Sequence, residues 1–91
     1  MSTQQVVVYI SDNCKSCERL IHQFEEWELD YTVKNISKDK AYFQELQQKK
    51  VYGTPATFID DERVLGFQKR KLKRTLGIRE NDMRDNTAFN A

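Results

Sequence analysis

The 91-residue sequence predicts an α/β domain, a four-stranded mixed sheet with helices packed on it, in the order β-α-β-α-β-β-α. Three observations predict it. Through the first half, β-branched runs of strand length alternate with stretches of helical period, the pattern of parallel strands joined by a crossover helix. In the second half "ATFI" and "RVLGF" are separated only by Asp60-Asp61-Glu62, so these two runs pair as an antiparallel hairpin. The length suits one core and not two.

The elements follow in order. "QVVVYI" (5–10) is β-branched and aromatic and apolar on both faces, as a buried first strand is. From Cys17 the apolar positions Cys17, Leu20, Ile21 and Phe24 recur at i, i+3, i+4 and i+7, which draws one face of a helix. "YTVKNI" (31–36) alternates and reads as a second strand, parallel to the first through a right-handed crossover. Ser37 then reads as the N-cap of a helix reaching about residue 50, with Tyr42, Phe43 and Leu46 facing inward. "ATFI" (56–59) and "RVLGF" (63–67) complete the sheet. A last helix over about 68–76 carries Leu72 and Leu76 on one face, and Gly77 and Ile78 suit the positions just past its end. Residues 1–78 thus make the domain. The remainder, "RENDMRDNTAFNA" (79–91), lacks a period and reads as a polar tail or loose helical extension.

Composition narrows the function classes. Apolar residues at 38% and charged residues at 32% suit a soluble globular chain. A net charge of +1 provides no field directed at nucleic acid or a membrane. The apolar run at residues 6–10 is far shorter than the roughly 20 residues a spanning helix needs, and it lacks the basic flank of a signal peptide. The expected compartment is therefore the cytoplasm, where thiols are kept reduced and a permanent structural disulfide is not expected. Two charged stretches stand out. "EEWELD" (25–30) is acidic and "KRKLKR" (69–74) is basic except at Leu72. They are either solvated helix faces or, for the basic one, a steering patch for an acidic partner.

Most of the chemistry resides in "SDNCKSC" (11–17), which holds both cysteines of the chain. Structural zinc takes four N/S ligands, commonly as two spaced pairs; here there is one pair and one histidine, His22, which reads as a surface residue of the helix flank. Two ordinary buried cysteines would account for Cys17 on the apolar helix face but not for Cys14 at the helix start. A dithiol redox couple accommodates both. At a helix N-terminus the unpaired N–H groups and the macrodipole favour an anion. Cys14 is accordingly expected to titrate below the free-thiol value of about 8.5, near 7, helped by Lys15. Cys17, shielded one turn later, is positioned to attack a mixed disulfide on Cys14 and release the reduced partner.

Taken together, "VVVYISDNCKSC", "GTPATFID" and "VLGFQKRKLKRTLGI" resemble the glutaredoxin branch of the thioredoxin-like superfamily, over about residues 5 to 78. The resemblance implies a thioredoxin-like fold with strand order 2-1-3-4 and a dithiol–disulfide oxidoreductase that needs no bound cofactor beyond a redox-active Cys14–Cys17 disulfide. It implies that Pro55 is a cis-proline facing the cysteines, and that Thr54 presents its backbone to a bound partner. The chain departs from glutathione-using members at Ser11, where they tend to carry lysine. It departs again at Gly66-Phe67-Gln68, where they tend to carry a Gly-Gly-Asp-like stretch. Both departures disfavour glutathione. Gly66-Phe67 is closer to the NrdH-redoxins, electron donors to ribonucleotide reductase, although their fuller signature is absent. The implied partners are a disulfide-bearing protein and, as electron donor, thioredoxin reductase or a low-molecular-weight thiol. The expected state is a monomer. A different class stays open beside this: a redox-sensing regulator or interaction module of the same fold. Iron–sulfur carriage, which usually relies on bound glutathione, is disfavoured by Ser11 and Phe67.

Overall fold

A computed structural model describes residues 4–78, so the segment 79–91 lies outside the described residues. Its strands are β1 (Val6–Ile10), β2 (Thr32–Asn35), β3 (Ala56–Ile59) and β4 (Glu62–Leu65); its helices are α1 (Lys15–Glu26), α2 (Lys40–Gln48) and α3 (Lys69–Leu76). The sheet runs β2-β1-β3-β4. β1 and β2 are parallel, while β3 is antiparallel to both β1 and β4. This is the thioredoxin-like arrangement the sequence implied.

Alternation along the strands divides the core in two. Val6 and Val8 of β1, with Ile59 and Val64, meet Leu20 and Phe24 of α1 and Leu72 of α3 on one sheet face. Each of these three helix side chains is fully buried, and such burial stabilises by about 1.5–3 kcal/mol apiece. Tyr9 and Ala56 point to the other face, where they pack with Leu46 of α2 and Val51. A polar latch holds α2 there: the Tyr9 hydroxyl donates to Glu45 Oε1 at 2.8 Å, and Lys34 Nζ donates to the same oxygen at 2.9 Å. Lys34 also lies over the rings of Tyr9 and Tyr42.

All three helices end in the same way, which the sequence announced only at Gly77. Leu29, Val51 and Ile78 donate back to the carbonyls of Phe24, Leu46 and Lys73. The residues before them, Glu28, Lys50 and Gly77, have φ of 54°, 64° and 76° and donate to Glu25, Gln47 and Arg74. These paired bonds satisfy carbonyls that the helix end leaves orphaned.

Two expectations for the second helix are corrected. Its N-cap is Asp39, whose carboxylate accepts from Ala41 N at 2.9 Å; Ser37 instead accepts the backbone N–H of Asp12. Phe43 does not face inward but is 43% exposed, because Leu46 in the core and the Glu45 bonds to Tyr9 and Lys34 set the rotation of α2. Among the described residues no helix is long and apolar enough to cross a membrane.

Candidate active site

The site forms where β1 ends and α1 begins. After Ile10 the chain turns through Asp12-Asn13, with Asn13 at φ 56°, a conformation that asparagine tolerates better than most residues. The turn is tied to the end of β2: Asn35 Nδ2 donates to Asp12 Oδ1, and Ser37 Oγ accepts from Asp12 N. Lys38 Nζ lies 3.9 Å from Asp12 Oδ1.

Cys14 is the N-cap of α1. Its backbone is extended, and its sulfur accepts the N–H of Cys17 at 3.1 Å, one of the amides the helix start leaves without an intrahelical partner. Cys14 is partly exposed, whereas Cys17 is 2% exposed beneath it. The two sulfurs are joined in a disulfide, with Cα atoms 5.2 Å apart, inside the usual spacing for such a bond. Two neighbouring sulfurs on one helical turn can cycle between disulfide and dithiol, exchanging two electrons and two protons without any other group.

The other expected site residues fall as follows. The Thr54–Pro55 peptide bond is cis, Pro55 is buried, and Thr54 Oγ1 lies 3.9 Å from Cys14 Sγ. Gly66 adjoins them, donating its N–H to the Pro55 carbonyl at 2.8 Å; its φ of 77° turns the chain out of β4 and suits glycine. Phe67 is half-buried against the α1–α3 core, so its ring is committed in part to packing. His22 is exposed on the α1 flank with Glu26 as its neighbour. A shallow cleft of about 440 Å³ runs beside the sulfurs, its lining including the apolar Ile10 and Ile21 and the polar Asp12, His22 and Asn35. A larger one of about 890 Å³ lies on the α2 side of the sheet, around Tyr9, Lys34 and Phe58, and contains neither cysteine.

One contact escaped the sequence reading. Ser11 Oγ and Thr54 Oγ1 are 2.7 Å apart, which joins the residue before the turn to the residue before the cis-proline. The signal for it is the β1–β3 pairing, because continuing that register beyond Tyr9↔Ala56 sets Ser11 opposite Thr54.

A parallel βαβ unit, an antiparallel hairpin and a cysteine pair at the first helix start define a thioredoxin-like protein. The glutaredoxin family model matches residues 6–64, and the chain belongs to the glutaredoxin family. The chain is similar to the thioredoxin-like protein BC3987, with 30% identity and a TM-score of 0.75 over 79% of this chain and 100% of that one. NrdH-redoxin from Escherichia coli superposes with a TM-score of 0.71 at 17% identity, covering 77% of this chain and 92% of its own. The glutaredoxin (grx-1) from Archaeoglobus fulgidus gives 0.69 at 23% identity, covering 82% and 88%. No curated protein matches the sequence. Family and cysteine pair together assign thiol–disulfide oxidoreductase chemistry in general.

Proposed function

We propose that this protein is an electron carrier that reduces protein disulfides, with Cys14 as the attacking thiolate and Cys17 as the resolving thiol. The observation that carries this reading is the asymmetry of the pair: Cys14 caps α1 and is partly exposed, while Cys17 is 2% exposed one turn later. In the reduced protein the Cys14 thiolate attacks one sulfur of the substrate disulfide. A mixed disulfide forms, and the other substrate sulfur leaves as a thiolate that takes up a proton. Cys17 then loses its proton and attacks Cys14 Sγ. The Cys14–Cys17 disulfide forms, and the second substrate thiolate departs. Two electrons pass to the substrate, and the cysteine pair is itself the redox group. On this reading an extended substrate segment lies along Thr54, whose hydroxyl is 3.9 Å from Cys14 Sγ, and along the neighbouring Pro55, Gly66 and Phe67.

The disulfide must then be reduced again. Serine at position 11 and Gly66-Phe67-Gln68 favour thioredoxin reductase, or a small thiol other than glutathione, as donor. An NrdH-like service to ribonucleotide reductase in the cytoplasm is the finer reading, with the protein acting as a monomer.

The test uses cysteine variants and the two recharging systems. Cys17→Ser should trap a covalent complex with a disulfide protein through Cys14, and Cys14→Ser should abolish reaction with it. With NADPH, the oxidised wild type should be turned over by thioredoxin reductase and not by glutathione with its reductase. If only Cys14→Ser traps the partner, the two roles are reversed. Turnover by glutathione alone would overturn the donor assignment.

A further inference from the structure

A hydroxyl has one proton to give, and the contacts around Thr54 constrain where it goes. Its Oγ1 lies 2.7 Å from Ser11 Oγ, a full O–H···O bond in which either side can donate, and 3.9 Å from Cys14 Sγ with the geometry of a donor to sulfur. When Thr54 donates to the sulfur, Ser11 must donate to Thr54. Both residues are half-buried, so water competes only partly for these bonds. In the disulfide the Cys14 sulfur is a weak neutral acceptor. After two-electron reduction and loss of the thiol proton it carries a full negative charge, and a hydrogen bond to a charged acceptor is roughly twice as strong as a neutral one.

We propose that Ser11 and Thr54 form a hydroxyl relay that engages Cys14 on reduction. Ser11 Oγ–H donates to Thr54 Oγ1, and the Thr54 proton is directed at the Cys14 thiolate, which raises the thiolate fraction near neutral pH. Thr54 touches the reacting sulfur; Ser11 is a positioning residue that acts through it. The Cys17 N–H, at 3.1 Å, is a second donor that no side-chain substitution removes, so the relay tunes the thiolate and does not create it. This inference rests on Cys14 being the attacking thiolate.

The test is the alkylation of Cys14 in the reduced full-length protein at graded pH, read by mass spectrometry. Thr54→Val should raise the midpoint by about one pH unit, and Ser11→Ala by about half as much. Because Ser11 acts through Thr54, the double variant should match Thr54→Val alone, a non-additivity expected of residues in one network. Thr54→Ser should restore the wild-type midpoint. Thermal unfolding of each variant checks that it is folded; if Thr54→Val is not, Ser11→Ala carries the test. An unmoved midpoint in folded Ser11→Ala, or equal shifts from Ser11→Ala with and without Thr54, overturns the relay. A wild-type Cys14 midpoint at the free-thiol value of about 8.5 is a separate failure. It would sink the assignment of Cys14 as nucleophile before any variant is compared.

Discussion

Thr57 sits in β3 with its side chain fully buried, paired across the sheet with Val8 on one side and Val64 on the other. Its hydroxyl has no hydrogen-bond partner among the described residues. An unsatisfied buried hydroxyl costs about 1–3 kcal/mol, and valine has nearly the same shape without that group. Thr57→Val is therefore expected to raise stability by about 1 kcal/mol, seen as a higher urea midpoint with an unchanged slope. A lower midpoint would show that the hydroxyl is satisfied in the folded protein. Legibility differs sharply at this scale. Cys14 and Cys17 could be read from sequence because the geometry relating them is one helical turn, which spacing alone specifies. Ser11 and Thr54 are 43 residues apart, and their contact depends on the register of two strands that no local pattern prints.

Among the elements, α2 departs most from its sequence pattern. Ser37 and Asp39 both qualify as caps by residue type; the choice fell to Asp39 because the Asp12 amide claims the Ser37 hydroxyl. Tyr42, Phe43 and Leu46 share a helical period, but the rotation of α2 is set by Leu46 in the core and by the Glu45 bonds to Tyr9 and Lys34. Phe43 is thereby left at the surface. The helix ends carry a prediction of their own. Glu28 and Lys50 hold the left-handed conformation that Gly77 holds at the end of α3, and a side chain there is strained. Lys50→Gly should stabilise by about 0.5–1 kcal/mol, the relief of strain exceeding the entropy glycine adds to the unfolded chain. The measurement is the denaturation midpoint of Lys50→Gly beside Lys50→Ala. If both variants behave alike, the backbone conformation is not the cause.

For the whole molecule, the latch between Tyr9, Lys34 and Glu45 ties stability to pH, since it joins β1, β2 and α2. The bond from Lys34, and after it the bond from Tyr9, holds the Glu45 carboxyl below the ordinary carboxylate range. Its contribution is present above the unfolded value of about 4.3 and is lost as pH falls through the lower folded value. Burial, and then the bond to Glu45, raises the Tyr9 phenol; the bond to Glu45 raises the Lys34 ammonium. Their contributions are present below about pH 10 and are lost as pH rises through the raised folded values. The thermal midpoint should thus be flat near neutrality and fall on both sides, with Glu45→Gln showing a shallower acid limb than wild type. Identical acid limbs would assign the loss to other carboxylates.

The division between sequence and structure follows from the range of the forces involved. Element order, the parallel and antiparallel senses, the burial of Leu20, Phe24 and Leu72, and the placing of Cys14 at a helix start all follow from periods and turn residues. These act within about a dozen residues along the chain. The sequence determined those unaided. Which face of α2 is buried, which of two caps closes it, and the meeting of Ser11 with Thr54 beside the Cys14 sulfur were decided only in the tertiary structure. Each of them depends on surfaces brought together from distant parts of the chain, where several local solutions are nearly equal and packing selects one.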